Sequence, residues 1–203
     1  MRSVDKAARI DPAKCSLCNI CARVCPVLSV RTEKQGSRIV RVDIDEDSCQ
    51  GCTICATRCP EHAIAMIGRE RALFVGIQVG KASAEIAEIC RKAHMYPDQV
   101  ICYCHRVQAK EIVAAILEGA KTPEEVSIRT GARTGCGVLC ITGMIRLLQG
   151  AGLELGRAPG CQWYGKPITI WDIPPEIARK YPQYYLESDR KVMDTIFPGG
   201  KSK

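Results

Sequence analysis

Alternating apolar and polar residues predict strands in the first third of the chain. The apolar stretches at residues 27–30 and 39–44 flank Gln35-Gly36-Ser37, a combination typical of a β-hairpin. Two further apolar stretches, at residues 63–67 and 73–79, have the length and composition of short strands. The pattern therefore predicts a hairpin followed by two separate strands.

A helical period of apolar residues begins after residue 82. Residues 83–94 and 109–117 each place their apolar side chains on one helix face, and Gly119 is a suitable helix stop. Residues 122–125 (Thr-Pro-Glu-Glu) combine a capping box with proline at the first helical position, which predicts the start of another helix. Residues 138–148 are apolar and predict a further helix.

The last 51 residues have a different composition. They contain seven of the ten aromatic residues and six of the eleven prolines. Disordered segments are poor in aromatic residues, and the prolines at 174–175 and 182 argue against long helices. We therefore predict an extended tail whose aromatic side chains dock on another subunit. The alternative is that the tail folds back over the chain's own domains.

Fourteen cysteines dominate the chemistry of this 203-residue chain. Eight of them form two copies of the motif Cys-x2-Cys-x2-Cys-x3-Cys-Pro, which begin at Cys15 and Cys49 and repeat with a period of 34 residues. The N-terminal residues lack the apolar stretch of a secretory signal, and no apolar run has the length of a membrane span. We therefore expect a cytoplasmic protein whose cysteines bind metal rather than pair as disulfides.

The two complete motifs resemble those of bacterial-type ferredoxins with two 4Fe–4S clusters, and the resemblance covers residues 10–68. It implies crossed ligation, in which the fourth cysteine of each motif binds the cluster of the other motif. The expected ligands are Cys15, Cys18, Cys21 and Cys59 for cluster I, and Cys49, Cys52, Cys55 and Cys25 for cluster II. Zinc is the alternative, but it does not account for the third cysteine and the proline of each motif.

A third group of cysteines consists of Cys102-x-Cys104 and Cys136-x3-Cys140. With the capping box and residues 134–137 (Thr-Gly-Cys-Gly), this group resembles the bacterioferritin-associated ferredoxin family, whose small helical domain binds one 2Fe–2S cluster. The resemblance covers residues 100–152 and implies these four cysteines as ligands. The last pair departs from the family, because three residues separate it where the family has two. Zinc remains an alternative here, since His105 follows Cys104 directly.

Three other residues carry weaker signals. Cys90 lies on the apolar face of the helix predicted at residues 83–94, and we expect a core thiol. Cys161 has no partner in the sequence, and we expect inert packing rather than a reactive or interface thiol. His62 follows the second motif and is expected at the surface rather than as a pH-sensitive neighbour of a cluster.

These patterns predict an α+β protein with four regions. They are a ferredoxin-like two-cluster domain at residues 1–68, an ordered strand–helix connector at 69–98, a helical 2Fe–2S domain at 99–152, and an extended, aromatic-rich docking tail at 153–203. The formal net charge is +7, but each cluster with four thiolates carries roughly −2 when oxidised. Because the clusters offset most of this charge and no basic stripe is present, we expect no nucleic-acid partner.

The sequence thus predicts a non-catalytic iron–sulfur subunit that relays electrons within a larger oxidoreductase complex. It contains no nucleotide-binding fingerprint and no convincing catalytic residues, so the catalytic partner is expected to be another chain, of the flavin, tungsten or molybdenum class. Low-potential 4Fe–4S pairs suit an anaerobe. The alternatives are an iron or iron–sulfur cluster handling protein and a freely diffusing ferredoxin.

Overall fold

The computed structural model describes residues 1–156 and 167–197. The first part contains, in chain order, β1 (Arg2–Ile10), α1 (Ile20–Val24), β2 (Val30–Gln35), β3 (Arg38–Ile44), α2 (Ile54–Arg58) and β4 (Ile64–Val75). β1 pairs antiparallel with β4, and β2 with β3. The two sheets and two short helices enclose a small core to which cysteines contribute, as expected when inorganic clusters replace part of the apolar interior.

The predicted hairpin is confirmed, with Gly36 at a φ of +59° in its turn. The prediction of two separate strands at residues 63–67 and 73–79 is wrong, because β4 runs without interruption from residue 64 to 75. β1 was not predicted at all. Its register against β4 shifts between Val4 and Lys6, and this irregularity breaks the apolar–polar alternation that identifies a strand.

The second part contains α3 (Ala84–Lys92), β5 (Val100–Cys102), β6 (Val107–Gln108), α4 (Ala109–Leu117), α5 (Pro123–Thr130) and α6 (Ile141–Gly150). α3 packs with α4 and α6 around one apolar core. Residues 69–98 therefore contribute the end of β4 to the first part and α3 to the second.

The helix starts follow local side-chain chemistry. The Ser83 hydroxyl accepts the backbone N–H of Ile86 at 3.2 Å and caps α3. Thr122 and Glu125 form the predicted capping box of α5, with both hydrogen bonds at 3.2 Å. The helix predicted at residues 138–148 begins later, at Ile141, because the preceding residues form the loop that carries two cysteines.

The prediction of an extended tail is wrong for its described part. Residues 167–197 contain two 3-10 helices, Ile170–Asp172 and Pro182–Tyr184, and the helices α7 (Pro175–Lys180) and α8 (Leu186–Ile196). Pro175 and Pro182 stand at the first positions of helical turns, where the missing N–H costs nothing. Three residues of the tail lie outside the described residues: Cys161, expected as an inert packed thiol, and Trp163 and Tyr164, two of the aromatic residues expected to dock.

The tail contacts the helical part of its own chain. The ring of Trp171 stacks on His94, just after α3, with 3.6 Å between ring centroids, and its indole N–H donates to Asp194 at 2.8 Å. Tyr96 donates its hydroxyl hydrogen to the Ile196 carbonyl and packs against Phe197. These contacts join residues 167–197 to the end of α3.

The two parts of the molecule are joined by specific hydrogen bonds. The Gln50 amide, which is buried, donates to the Ile128 carbonyl at 2.7 Å and to the Ser127 carbonyl at 3.3 Å, both on α5. Gly76, directly after β4, donates its N–H to the Arg129 carbonyl at 3.0 Å. The second cysteine motif therefore lies against the helical part. None of the described helices has the length and apolarity to span a membrane.

Candidate metal centres

The first cavity, cavity I, lies between α1 and the start of β4 and spans about 330 Å³ of space, part of which is open to solvent. Four cysteines line it: Cys15, Cys18, Cys21 and Cys59. Ile10, Val42 and Ile64 form its apolar wall. Three of the cysteines come from the first motif and the fourth from the second, which is the set that the ferredoxin resemblance implies for cluster I.

The second cavity, cavity II, lies beside α2 and also spans about 330 Å³ of space, part of which is open to solvent. Its four cysteines are Cys25, Cys49, Cys52 and Cys55, the set implied for cluster II. Val30 occupies the position in its wall that Ile64, 34 residues later, occupies in cavity I. The two cavities are therefore built by equivalent residues of the sequence repeat.

The backbone repeats with the same period as the cysteines. Left-handed φ values occur in pairs separated by 34 residues: Leu17 and Gly51, Asn19 and Thr53, Leu28 and His62. Such conformations are costly for residues other than glycine and persist where the surroundings require them. Alternation of left- and right-handed residues turns successive N–H groups toward one concave side, a geometry that binds anions and iron–sulfur centres.

Backbone N–H groups donate to the sulfur atoms of both cavities. Ala8 donates to Cys49 Sγ at 3.4 Å, Ser29 to Cys25 Sγ at 3.3 Å, and Ala63 to Cys59 Sγ at 3.4 Å. Ser29 and Ala63 are again 34 residues apart. Hydrogen bonds to sulfur and burial are the means by which a protein sets the reduction potential of a cluster.

Burial raises the pKa of the cavity thiols. It raises the pKa of Cys55 to about 12, and it raises that of Cys21 and Cys52 above the ordinary thiol value. Without metal, these sulfurs therefore hold their protons at neutral pH. Because metal ligands are thiolates, cluster binding must displace these protons.

The third set of cysteines, here called group III, comprises Cys102, Cys104, Cys136 and Cys140. The Cys136 N–H donates to Cys104 Sγ at 3.3 Å. A hydrogen bond from the Cys140 thiol is the largest cause that lowers the pKa of Cys102, and the same bond raises the pKa of Cys140. The additional residue between Cys136 and Cys140 therefore does not separate Cys140 from the other cysteines.

The loop before α6 has the structure that group III requires. A Cβ atom on Gly135 would lie 2.4 Å from Cys104 Cβ and 2.8 Å from its sulfur, so only glycine fits between the two halves of the group. The N–H groups of Val138 and Leu139 bond to the Cys136 sulfur and lower its pKa. Backbone donors thus favour negative charge on the sulfur, which is what an anionic cluster needs.

Group III is open to solvent on one side. Cys102 and Cys140 are buried, whereas Cys104 and Cys136 are exposed. Three apolar side chains beside these cysteines, here called the apolar collar, are also exposed: Tyr103 to 74%, Val138 to 66% and Leu139 to 73%. This is the most accessible of the three cysteine sites.

The donor sets of all three sites fit iron–sulfur clusters. Each site offers four sulfur ligands, backbone N–H donors to sulfur, and an apolar surround. In cavities I and II the cysteines surround a volume suited to a core of several atoms. Among the described residues, no three His, Cys, Asp or Glu side chains lie close enough to hold a single metal ion.

Cavity II, rather than cavity I, faces group III. Ile54 lines cavity II, and its terminal methyl lies 3.3 Å from the position of a Cβ on Gly137, next to Cys136. Arg2 lies at the same junction, where its Nη2 donates to the Thr134 hydroxyl at 3.0 Å. Arg2, Gln50 and Ile54 were not predicted from the sequence, because their roles depend on contacts between residues that are far apart in the chain.

The structure shows the positions of Cys90, His62 and His105, whose sequence signals are weaker. Cys90 is completely buried in the helical core, as predicted, and burial raises its pKa to about 11. His62 is exposed, as predicted. His105 is partly buried near Gly135, 3.4 Å from the Cβ position of that glycine.

The fold and the three cysteine sites define an iron–sulfur protein. Residues 14–63 match the family model of the 4Fe-4S dicluster domain, and residues 100–149 match that of the BFD-like 2Fe-2S binding domain. No curated protein and no solved structure matches the chain. The chain therefore carries two 4Fe–4S clusters and one 2Fe–2S cluster, and this prediction is confirmed over the zinc alternatives.

Proposed function

We propose that the chain is a non-catalytic electron-transfer subunit of a larger oxidoreductase complex. The observation that carries the proposal is the placement of three cysteine sites in one chain, with cavity II directly beside the solvent-accessible group III. Iron–sulfur clusters accept and donate single electrons. The ligands in this proposal are those of cavity I, cavity II and group III as defined above.

The residues around the three sites bury the clusters, orient their cysteine ligands and stabilise negative charge on sulfur. Apolar side chains such as Val42 and Ile44 keep water from the cavities. The N–H groups of Ala8, Ser29 and Ala63 stabilise negative charge on sulfur. No residue in this arrangement is assigned a role in substrate chemistry, so the catalytic centre belongs to a partner chain in this proposal.

Two exposed apolar surfaces support the proposal that a partner chain binds. The first is the apolar collar, which surrounds the accessible side of group III. The second lies on the tail and includes Tyr184, Tyr185 and Val192, which are more than half exposed. Exposed apolar groups of this kind are common in protein interfaces. The proposed partner is a catalytic subunit of the flavin, tungsten or molybdenum class, in the cytoplasm of an anaerobe.

Metal analysis and EPR spectroscopy of the anaerobically purified protein test the electron-transfer role. We expect about ten iron and ten sulfide per chain, from two 4Fe–4S clusters and one 2Fe–2S cluster. Reduction should develop EPR signals of both cluster types. A colourless protein without an EPR signal after reduction would refute the proposal.

The subunit role is tested by purifying the tagged chain from its native cells without oxygen. We expect a catalytic chain in fixed stoichiometry, whose substrate reduces the clusters as followed by EPR. Leu139→Asp in the apolar collar should abolish copurification of the catalytic chain, while all clusters remain bound to the iron–sulfur chain. Phe74→Asp, which adds a charge at a similarly exposed position on β4, is the matched control and should leave the complex intact.

The same preparation separates the alternatives. A chain that elutes alone with its full complement of clusters would be a freely diffusing ferredoxin. Rapid transfer of clusters to an apo-acceptor, without reduction by any dehydrogenase, would indicate a cluster handling protein. Either result would contradict the subunit role.

A further inference from the structure

Arg2 begins β1 and extends its side chain into the junction between the two parts of the molecule. Its Nη2 donates to the Thr134 hydroxyl at 3.0 Å. A Cβ atom placed on Gly131 would lie 3.5 Å from Nη2 and 3.7 Å from Nε. The guanidinium therefore lies against the loop at residues 131–134, which leads directly to Cys136.

The environment of this guanidinium contains an unsatisfied donor. Arg2 Nε is buried and has no hydrogen-bond partner among the residues that the structure describes. A buried N–H of a cation without an acceptor is costly unless negative charge nearby compensates it. Burial lowers the pKa of Arg2, and the opposing electrostatic effects come from Cys52 and Cys102.

These two cysteines belong to different sites. Cys52 lines cavity II, and Cys102 belongs to group III. The contact of Ile54 with the Gly137 position shows independently that these two sites are neighbours. Arg2 is thus a cation placed between two sites that each carry negative charge when their thiolates hold a cluster.

We propose that Arg2 raises the reduction potentials of both the 4Fe–4S centre in cavity II and the 2Fe–2S centre in group III, relative to the centre in cavity I. This inference rests on the proposed electron-transfer function. A fixed positive charge in a poorly solvated junction stabilises the state with one more electron at either site. One residue therefore shifts the potentials of two neighbouring centres in the same direction.

The test is an EPR-monitored potentiometric titration of the full-length holoprotein. In Arg2→Gln, the potentials of the 2Fe–2S centre and of one of the two 4Fe–4S centres should fall. We expect an at least tenfold smaller equilibrium constant for reduction, which is about 59 mV for one electron. Arg2→Lys retains the positive charge and should restore most of both potentials.

Arg9→Gln is the matched control. Arg9 lies on the same strand, but it is exposed and forms an ion pair with Glu46 at 2.6 Å. Its replacement removes the same charge from β1 and should leave all three potentials unchanged, because solvent screens an exposed charge.

Three outcomes would overturn the inference. They are unchanged potentials in Arg2→Gln, an equal shift of all three centres, and loss of the 2Fe–2S signal in both Arg2 variants, which would make Arg2 a packing residue. Each of these leaves the electron-transfer function intact. A wild-type protein without clusters would instead refute that function.

Discussion

Gly51 shows how one residue without a side chain permits cavity II to form. It lies between two residues that line this cavity, Gln50 and Cys52, and has a φ of +63°. A Cβ atom there would lie 2.7 Å from the Lys6 carbonyl oxygen and 3.1 Å from a methyl of Val4. Backbone conformation and close packing against β1 thus both require glycine.

Gly51→Ala should therefore destabilise the protein and reduce occupancy of cavity II. We expect a loss of about 3 kcal/mol, from about 1 kcal/mol of backbone strain and about 2 kcal/mol of overpacking. Thermal unfolding under argon, followed by circular dichroism, and the iron content per chain are the measurements. Gly36→Ala is the control, because Gly36 has a φ of +59° and open space around it. Equal losses in the two variants would show that the contact with β1 is unimportant.

Cys90 gives the helical core a pH-dependent stability. Its thiol is completely buried, which raises its pKa from 9.0 to about 11. Because the unfolded chain ionises at the lower value, the stabilising contribution of the neutral thiol is complete below pH 9 and is lost as the pH rises to 11. This rise in pKa corresponds to about 3 kcal/mol.

Comparison with Cys90→Ala tests this linkage. The variant leaves a small cavity and should be less stable than the wild type at pH 8. The difference in the free energy of unfolding between the two proteins should shrink as the pH approaches 11. Urea unfolding without oxygen, followed by circular dichroism at several pH values, measures it. Parallel pH profiles would contradict the proposed buried thiol effect.

Among the elements, the tail contacts the helical core through the Trp171–His94 stack and through the contacts of Tyr96 with Ile196 and Phe197. Trp171 combines the stack on His94 with the hydrogen bond to Asp194. Its replacement by alanine should remove about 1 kcal/mol of ring stacking and about 1 kcal/mol of hydrogen bonding. Because Asp194 belongs to the tail itself, only the lost stacking favours detachment, and about 1 kcal/mol raises the population of the detached tail roughly fivefold.

Limited proteolysis with mass spectrometry measures this detachment. Trp171→Ala should accelerate cleavage within residues 167–197 while the clusters remain bound. Tyr184→Ala is the control, since Tyr184 is 64% exposed and its ring contact with Tyr181 spans 6.4 Å between centroids. Equal cleavage rates in the two variants would show that the stack does not hold the tail.

The elements differed in how far the sequence predicted them. α3 followed from its amphipathic face and α5 from its capping box at Thr122, both of which are local signals. β1 escaped prediction because its irregular pairing disrupts the alternation, and the tail helices did so because proline was read as a helix breaker where it begins a helical turn. Signals that depend on tertiary context do not appear in a local pattern.

At the scale of the whole molecule, the crossed arrangement of the cavities predicts how cysteine replacements combine. If Cys25 and Cys49 serve one cluster, Cys25→Ala/Cys49→Ala should retain about six irons per chain, as the single Cys49→Ala variant does. Cys15→Ala/Cys25→Ala should retain about two, because it removes ligands from both cavities.

Iron analysis of anaerobically reconstituted proteins provides the measurement. Cys90→Ala, which alters a buried cysteine outside the three sites, should keep the full complement and controls for general damage. The crossed assignment fails if the first double variant keeps about two irons and the second about six.

The candidate site was predictable only in part. Cysteine spacing identified the three groups, since most of their members lie within a few residues of each other. The junction between cavity II and group III was not predictable, because Arg2 and Thr134 are 132 positions apart and Gln50 and Ile128 are 78 positions apart. Nothing in the local sequence distinguishes Arg2 from other arginines.

Because each cavity takes cysteines from both motifs, neither site can form during translation until the second motif has been synthesised. The cysteine set of cavity I is complete only after Cys59 has been translated, and that of cavity II only after Cys55, so neither is complete when only the first motif has been translated. β1 likewise cannot pair until β4 has been synthesised. The cysteine sets of both cavities are therefore completed within the synthesis of a few residues. The two sites become able to bind iron and sulfide at nearly the same stage of translation.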